Sequence, residues 1–240
     1  MKTTYWLQLT LESDAAFGRG DGVAGVVDAD VQHDISGLPY LGGKTLKGLL
    51  DAACAEVLSA IDQAKPGQSQ AWQASALRLF GAPGSEAEQV GWLHVGDARL
   101  PDDLRAAIAG DIRSGKISAS AVLESLTALR RQTAMDAETG APLKNSLRTI
   151  RVILRETIFI ARLDFIPPLA VSEKVSDADR ARDVALLAAT VKAMRRAGAH
   201  RNRGLGKLKA ELFDEYPVQK NEVSPVTPDL FEYFQMEVKA

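Results

Sequence analysis

The chain has 240 residues, 46% of them hydrophobic and 25% charged, with a formal net charge of −2. That length and apolar content suffice for one large domain or two small ones with a substantial core, and they exclude a disordered chain. The near-neutral balance excludes a protein that grips nucleic acid through overall basicity, so any such contact must come from local patches.

The single cysteine, Cys54, rules out an internal disulfide and a cysteine-rich zinc site. It falls on the apolar side of a predicted helix and reads as a small buried residue. The first residues run into alternation rather than a continuous apolar stretch, and no apolar run is long enough to span a bilayer. A cytoplasmic protein without membrane contact is expected.

Residues 4–12 alternate, with Tyr5, Leu7, Leu9 and Leu11 on one side, and predict a half-buried strand. Residues 13–37 have no period and are rich in glycine. Gly20-x-Gly22-x-x-Gly25 matches a dinucleotide fingerprint in letters only. It comes too late after the strand, and a Val-, Asp- and Pro-containing connection follows it instead of a helix.

The same connection holds Asp28, Asp30 and Asp34, of which Asp30 and Asp34 read as turn residues, and then passes through Leu38-Pro39 to Gly42-Gly43. A helix over 45–61 follows, with Leu46, Leu49, Leu50, Ala53, Val57 and Ile61 on one face. Its exposed first N–H groups, with Lys44, Thr45 and Lys47, make a candidate phosphate site. An ordinary helix start behind a Gly-rich loop fits the local pattern equally well.

Pro66-Gly67 breaks the chain before a short helix near 70–80, a turn at Gly81–Gly84 and a short strand over 90–96. Residues 102–130 carry two helical pieces. The stretch of approximately 62–130 reads as an insertion packed on the main sheet. A long hairpin over approximately 131–155 turns at Thr139-Gly140-Ala141-Pro142 and carries Arg130, Arg131, Lys144, Arg148, Arg151 and Arg155. Residues 156–166 form a buried strand, closed by Pro167-Pro168.

Ser176-Asp177-Ala178-Asp179 starts a helix that turns Ala181, Ala185, Ala188, Val191 and Met194 inward and stops at Gly198. Arg201-Asn202-Arg203-Gly204-Leu205-Gly206-Lys207 leads into a last strand, 208–212. From Lys192 through Lys209 there are seven Lys/Arg and no acid. Such a run is either a solvated helix end or a phosphate-binding surface, and His200 within it reads as a phosphate contact. Residues 215–240 form a C-terminal docking tail, for another subunit or for the chain's own sheet.

Strand, helix, strand, then strand, helix, strand is the ferredoxin-like or RNA-recognition-like α+β plan, here as a single domain over 1–240.

Three stretches carry a resemblance. The first is Gly25-x-x-Asp28-x-x-Val31-x-x-Asp34, continued by Leu38-Pro39-x-Leu41-x-Gly43-x-x-Leu46-Lys47-Gly48. The second is Arg131-x-Thr133-Ala134-Met135-Asp136-x-x-Thr139-Gly140-x-Pro142, and the third is Arg203-Gly204-Leu205-Gly206-Lys207. In that order they resemble the aspartate loop and helix start, the hairpin or thumb, and the Gly-rich loop of the RAMP superfamily of CRISPR effector complexes. The similarity is greatest to the backbone subunits of type III complexes. The chain departs from the family pattern at Gly42, where proline is usual, at Lys44-Thr45 in place of two serines, and at Ala29-Asp30 in place of Ser-Pro. It also lacks the Gly-Leu-Phe pattern after Pro142.

The resemblance implies a subunit that binds guide RNA (crRNA) and cuts paired target RNA, with a loop aspartate needed for cutting. That position is Asp28, and Asp21, flanked by glycines, is the second choice. It implies RNA contacts from Lys44, Thr45, Lys47, Arg131, Lys144, Arg148, His200, Arg201, Arg203, Gly204, Gly206 and Lys207. The aspartate either takes a proton from the 2′-OH or helps hold a divalent cation, Mg2+ or Mn2+. The partners implied are guide and target RNA and other effector subunits, including a large cyclase/polymerase-like one. Two further readings stay open: a guide-binding structural subunit that does not cut, and an endoribonuclease that processes guide precursors. The latter would use His33 as base, but no second histidine stands near it in sequence.

Overall fold

Strand β1 (Thr4–Leu11) is the centre of the fold, and its burial alternates residue by residue as its sequence does. Tyr5, Leu7, Leu9 and Leu11 are buried on one face, while the other face carries Trp6, Gln8 and Thr10. The computed structural model describes residues 2–18, 27–67, 69–82, 90–134, 136, 138–141, 143, 146–167, 175–217 and 223–239.

β1 pairs antiparallel with β5 (Ile158–Phe165) on one side and with β6 (Leu208–Phe213) on the other. The short β2 (Leu93–Val95) pairs with β5, so the sheet order is β2-β5-β1-β6. This is the split βαβ order expected from the sequence: each outer strand joins its non-adjacent parallel partner through a helix.

The helices that make these crossovers are α1 (Gly43–Ala64) and α5 (Asp177–Ala193). Leu46, Leu50, Ala53, Cys54 and Ile61 of α1 join Leu7, Leu9, Phe159 and Leu163 of the sheet in one apolar cluster. Each fully buried leucine there stabilises the fold by roughly 1.5–3 kcal/mol. Burial also pushes the Cys54 thiol up to about 11, so it behaves as packing and not as a nucleophile.

Helix α5 differs from its sequence pattern in two ways. Burial is continuous from Asp183 to Val191 rather than confined to one face, because α5 lies against α1, β6, α2 (Ser69–Phe80) and α6 (Thr227–Lys239). A helix enclosed on all sides is apolar all round. The run holds two polar residues, Asp183 and Thr190; Asp183 is held by Arg78, whose Nε and Nη2 reach its carboxylate at 2.9 and 2.6 Å. The helix also ends at Ala193, short of Gly198. Residues beyond it turn to pair with the chain before β6, through an Arg196–Lys207 bridge and the Leu208 N–H to the Arg195 carbonyl at 3.0 Å.

Between β2 and the hairpin lie α3 (Asp102–Arg113) and α4 (Ala119–Leu126). The helical stretch therefore stops at Leu126, and strand β3 (Thr127–Gln132) begins at once. β3 pairs with β4 (Arg148–Ile153) in a second, two-stranded sheet. At the C-terminal end, α6 lies on α5 and touches α2, and its start is tied to the sheet, where the Leu212 N–H of β6 reaches Thr227 Oγ1 at 2.7 Å. Phe234 is buried against Trp72, with ring centroids 4.7 Å apart, and Lys192 stands 4.3 Å over the Phe231 ring.

Candidate nucleic-acid interface

The connection after β1 is the seam on which the motif stretches meet. Ala15 and Ile153 exchange backbone hydrogen bonds, at 3.0 and 2.7 Å, which joins the connection to β4. On its other side, the Ala199 N–H reaches the Ala16 carbonyl at 2.8 Å, and the Gly206 N–H reaches the Asp14 carbonyl at 2.8 Å. The hairpin and the Gly-rich loop are thus bonded to opposite edges of residues 14–16. A side-chain contact adds to this, as Arg130 Nη2 meets Asp14 Oδ2 at 2.6 Å.

The later part of the same connection returns to the hairpin. Asp28 and Thr149 bond in both directions: the Asp28 N–H reaches the Thr149 carbonyl at 2.8 Å, and the Thr149 N–H reaches Asp28 Oδ2 at 2.6 Å. Thr149 is the cross-strand partner of Arg131 and the chain neighbour of Arg148. Thr149, to which Asp28 is bonded, is thus flanked by Arg148 along the strand and Arg131 across it, near the loop end of the β3–β4 ladder, and Asp28, Arg131 and Arg148 are all exposed. Among the described residues neither arginine has an ion-pair partner, and Asp28 Oδ1 has no hydrogen-bond partner.

The aspartates near Asp28 have different jobs. Asp34 is the turn residue its sequence suggests, accepting from the Ser36 and Leu38 N–H groups at 2.9 and 3.1 Å. Asp30, expected as a turn residue too, is instead buried and paired with Arg151 Nε at 3.0 Å. Its charge is neutralised inside the fold. Asp21, Lys144 and the Gly20–Gly25 pattern lie outside the described residues. His33 Nδ1 stands 3.0 Å from the Asp34 carbonyl oxygen, a local contact that ties it to its own turn.

The Gly-rich loop forms a single 3₁₀ turn, Arg201–Arg203, between residues in left-handed backbone conformations: His200 at φ 57° and Gly204 at φ 83°. A left-handed histidine is uncommon and costs roughly 1–2 kcal/mol, so the frame around it must impose the turn. Gly206, at φ 73°, is required by space as well, since a Cβ there would overlap the Ala197 carbonyl oxygen. The result presents Arg201, Asn202 and Arg203 outward, all exposed. Lys207 is also exposed but meets Glu12 at 2.9 Å.

At the start of α1, the Gly43 N–H is already taken by Asp97 Oδ1 at 2.9 Å. Asp97 comes from the chain just after β2, and Gly43 has no room for a side chain because Val95 and Gly96 backbone lie against it. Burial raises the Asp97 carboxyl's pKa, but the hydrogen bonds from Arg99 and Gly43 and the Arg99 charge outweigh it and hold the group below its ordinary value. A carboxylate on the first N–H of α1 weakens the case for a phosphate in that spot. Lys44 and Thr45 remain exposed, while Lys47 is half-buried, and burial lowers its pKa against the pull of Asp51. Among the described residues no hydrogen bond or ion pair joins these three to Asp28 or to the Gly-rich loop.

The residues that build this frame, Asp14, Asp30, Arg151 and Asp97, carry no local signal in sequence, because each acts on a partner far along the chain. Also among the described residues, no group of three or more His, Cys, Asp or Glu is arranged to hold a metal ion, and no helix is long and apolar enough to cross a membrane.

No protein of curated function matches the chain in sequence. Among solved structures, the chain is similar to one in the type III-B Cmr-beta complex bound to cognate target RNA, seen by cryo-EM. That likeness has a TM-score of 0.56 at 12% identity and covers 88% of this chain and 97% of the other. A chain of the apo Cmr-beta complex matches with the same score and identity, over 87% and 96%. At such identity the likeness concerns the fold, and it agrees with the split βαβ sheet carrying a hairpin. The family model of the RAMP superfamily matches residues 8–209, from β1 into β6 and across all three motif stretches, and the chain belongs to that superfamily.

Proposed function

We propose that the protein is a backbone subunit of a type III CRISPR effector complex, binding guide RNA and cutting the paired target RNA with Asp28. The observation that carries this reading is the meeting of hairpin, aspartate loop and Gly-rich loop along one seam, with Asp28 exposed and bonded to Thr149, whose neighbours along and across the ladder, Arg148 and Arg131, have no ion-pair partner among the described residues. Structural neighbours from a complex described as bound to cognate target RNA support the class of partner.

Target RNA brings its own nucleophile. The Asp28 carboxylate takes the proton of a 2′-OH, the freed oxygen attacks the adjacent phosphorus, and the bond to the 5′-oxygen breaks, that oxygen being protonated by water. The products are a 2′,3′-cyclic phosphate and a 5′-hydroxyl end. Arg131 and Arg148 offset the negative charge that phosphate brings beside a carboxylate. The free Oδ1 serves as the base, while Oδ2 stays on Thr149 and fixes the carboxylate's orientation.

A divalent cation, Mg2+ or Mn2+, fits here only as an ion shared with RNA, because the described residues offer it the one carboxylate of Asp28. Mg2+ is commonly held by one or two carboxylates with phosphates and water as the remaining ligands. Such an ion would supply charge neutralisation at the phosphate.

The second reading, a guide-binding subunit that does not cut, is favoured by the same Thr149 hydrogen bond, since docking the loop on the hairpin is reason enough for an aspartate. Reconstitution tests both. The full chain, combined with the other subunits of a type III effector and guide RNA, is offered matched target RNA. Incorporation with regular cutting supports the first reading, and incorporation without cutting the second. A chain that stays outside the assembly overturns both.

A further inference from the structure

A cleft of about 350 Å³ lies between the end of α5, the outer edge of β6 and the start of α6. It has no counterpart among the motif stretches except at one residue, Lys207, which closes the Gly-rich loop and also lines the cleft. Three more cations line it: Lys192, Arg195 and Lys209. Two carboxylates face them, Glu12 on Lys207 and Glu211 on Lys209, each pair at 2.9 Å. Cations thus outnumber acids four to two in a chain whose overall charge is negative.

The cations are not equivalent. Lys192 is occupied over the Phe231 ring and holds α6 in place. Arg195 is exposed and, among the described residues, has no ion-pair partner. Its carbonyl accepts from the Leu208 N–H at 3.0 Å, which ties this stretch after α5 to the start of β6. The carboxylates that meet Lys207 and Lys209 are partly exposed, and surface pairs of this kind hold at most about 1 kcal/mol. An incoming phosphate can displace them. Beside the charges, the exposed Pro228 and the edge of the buried Met194 line the cleft with apolar atoms. A cleft lined by both cations and apolar atoms suits a nucleotide, which is charged at its phosphate and flat and less polar at its base.

Resting on the RNA-binding reading above, we propose that this cleft seats one nucleotide of an RNA strand as it leaves the Gly-rich loop, with its phosphate on Arg195 and Lys209 and its base or ribose against Met194 and Pro228. Lys207 is the hinge of the path: a strand lying on Arg201 and Arg203 reaches the cleft through it. The site lengthens the RNA track beyond the motif and adds affinity that is independent of sequence.

The test uses the full chain, a fluorescein-labelled single-stranded RNA of mixed sequence and, separately, adenosine monophosphate. The Arg195→Gln/Lys209→Gln pair removes two cations without touching Lys192 or the Gly-rich loop, and both side chains are exposed, so its melting temperature should match the wild type. Exchange of Lys116→Gln, on an exposed lysine that does not line the cleft, is the control for loss of a surface cation as such. The expected result is several-fold weaker RNA binding by the double variant. The slope of log K against log salt should flatten by about 1.4, at about 0.7 for each single-strand phosphate that is no longer neutralised. Lys116→Gln should bind as the wild type does. Binding of adenosine monophosphate but not RNA, abolished in the double variant, would keep the cleft as a free-nucleotide site and overturn the RNA reading. RNA binding unchanged in affinity and slope overturns the cleft while the RNA reading stands. A wild-type chain that binds neither probe overturns both.

Discussion

Asp30 and Arg151 stand 121 residues apart in the chain and meet at 3.0 Å, with side chains only 4% and 14% exposed. The pair sits beside the backbone bonds that dock the Asp28 loop on β4: the Arg151 N–H reaches the Ala29 carbonyl at 3.0 Å, and Asp30 Oδ1 also accepts from the Val31 N–H at 2.9 Å. Arg151 in turn reaches Thr127 Oγ1 at 3.1 Å, across the hairpin. One ion pair therefore joins the loop, β4 and β3.

Removing one partner leaves the other charged and enclosed, which costs more than the pair itself contributes. Asp30→Ala should lower stability by about 3 kcal/mol, read from urea unfolding at neutral pH. Asp28→Ala, at an exposed position two residues away, should lose far less. Equal losses at the two sites would mean that Arg151 finds another partner or water, and that the loop is not held by this pair.

The two glycines of the Gly-rich loop should separate by their surroundings. Both have positive φ, so alanine at either is strained by roughly 1–2 kcal/mol. Around Gly204 the space is open, but at Gly206 the added Cβ would overlap the Ala197 carbonyl oxygen, whose own residue bonds back to the Gly206 carbonyl. Gly204→Ala should therefore fold with a small loss, and Gly206→Ala should be markedly less stable and lose RNA binding with it. Thermal melting of the two side by side is the measurement. A Gly206→Ala protein as stable as Gly204→Ala would show that the loop relaxes around the methyl.

Asp97 gives a pH dependence with a defined sign. Its carboxyl is held below its ordinary value in the folded chain, so the stabilisation is fully present above the unfolded group's pKa and is lost as pH falls through the lower folded value. Acid titration should therefore remove stability from the wild type that Asp97→Asn never had, and the two unfolding midpoints should converge in acid. The checking measurement is the urea midpoint followed from neutral pH downward. Parallel curves would mean that the α1 start does not depend on this carboxylate.

The strands were legible because their burial follows a period of two. β1 alternates in sequence as it does in space, β5 does so except that Ile160 is buried along with Phe159 and Ala161, and α1 shows its buried face through Leu46, Leu50 and Ala53. What sequence could not show is non-local. α5 loses its last turn because Arg195 and Arg196 find partners at Leu208 and Lys207, and β3 starts at Thr127 because β4 waits opposite. Asp30 resembles a turn aspartate until Arg151 is beside it. Asp97 caps a helix that starts 54 residues earlier in the chain, and no local spacing announces that. In the candidate site, the motif letters located Asp28 and the Gly-rich loop. The seam that joins them, residues 14–16, lay in a stretch without any pattern.

The remaining prediction concerns Asp28, and its hydrogen bonds decide which substitution is informative. Alanine removes both the base and the acceptor of the Thr149 N–H. The lost hydrogen bond should cost about 1 kcal/mol, so a slower Asp28→Ala complex is ambiguous between chemistry and loop position. Asparagine keeps an oxygen for Thr149 and cannot take a proton. On the cleavage reading, Asp28→Asn should assemble, bind matched target and melt like the wild type, while cutting falls by roughly 10² to 10⁴-fold, the range for a positioned acid/base group. Asp28→Ala should cut as poorly and melt slightly lower. His33→Ala should leave cutting unchanged, since its ring is engaged with its own turn. If the Asp28→Asn complex cuts at the wild-type rate, the carboxylate is a docking group. Cutting that then stops on Asp21→Ala would move the base seven positions earlier in the loop, and cutting that survives every one of these changes would leave this subunit as a guide-binding frame.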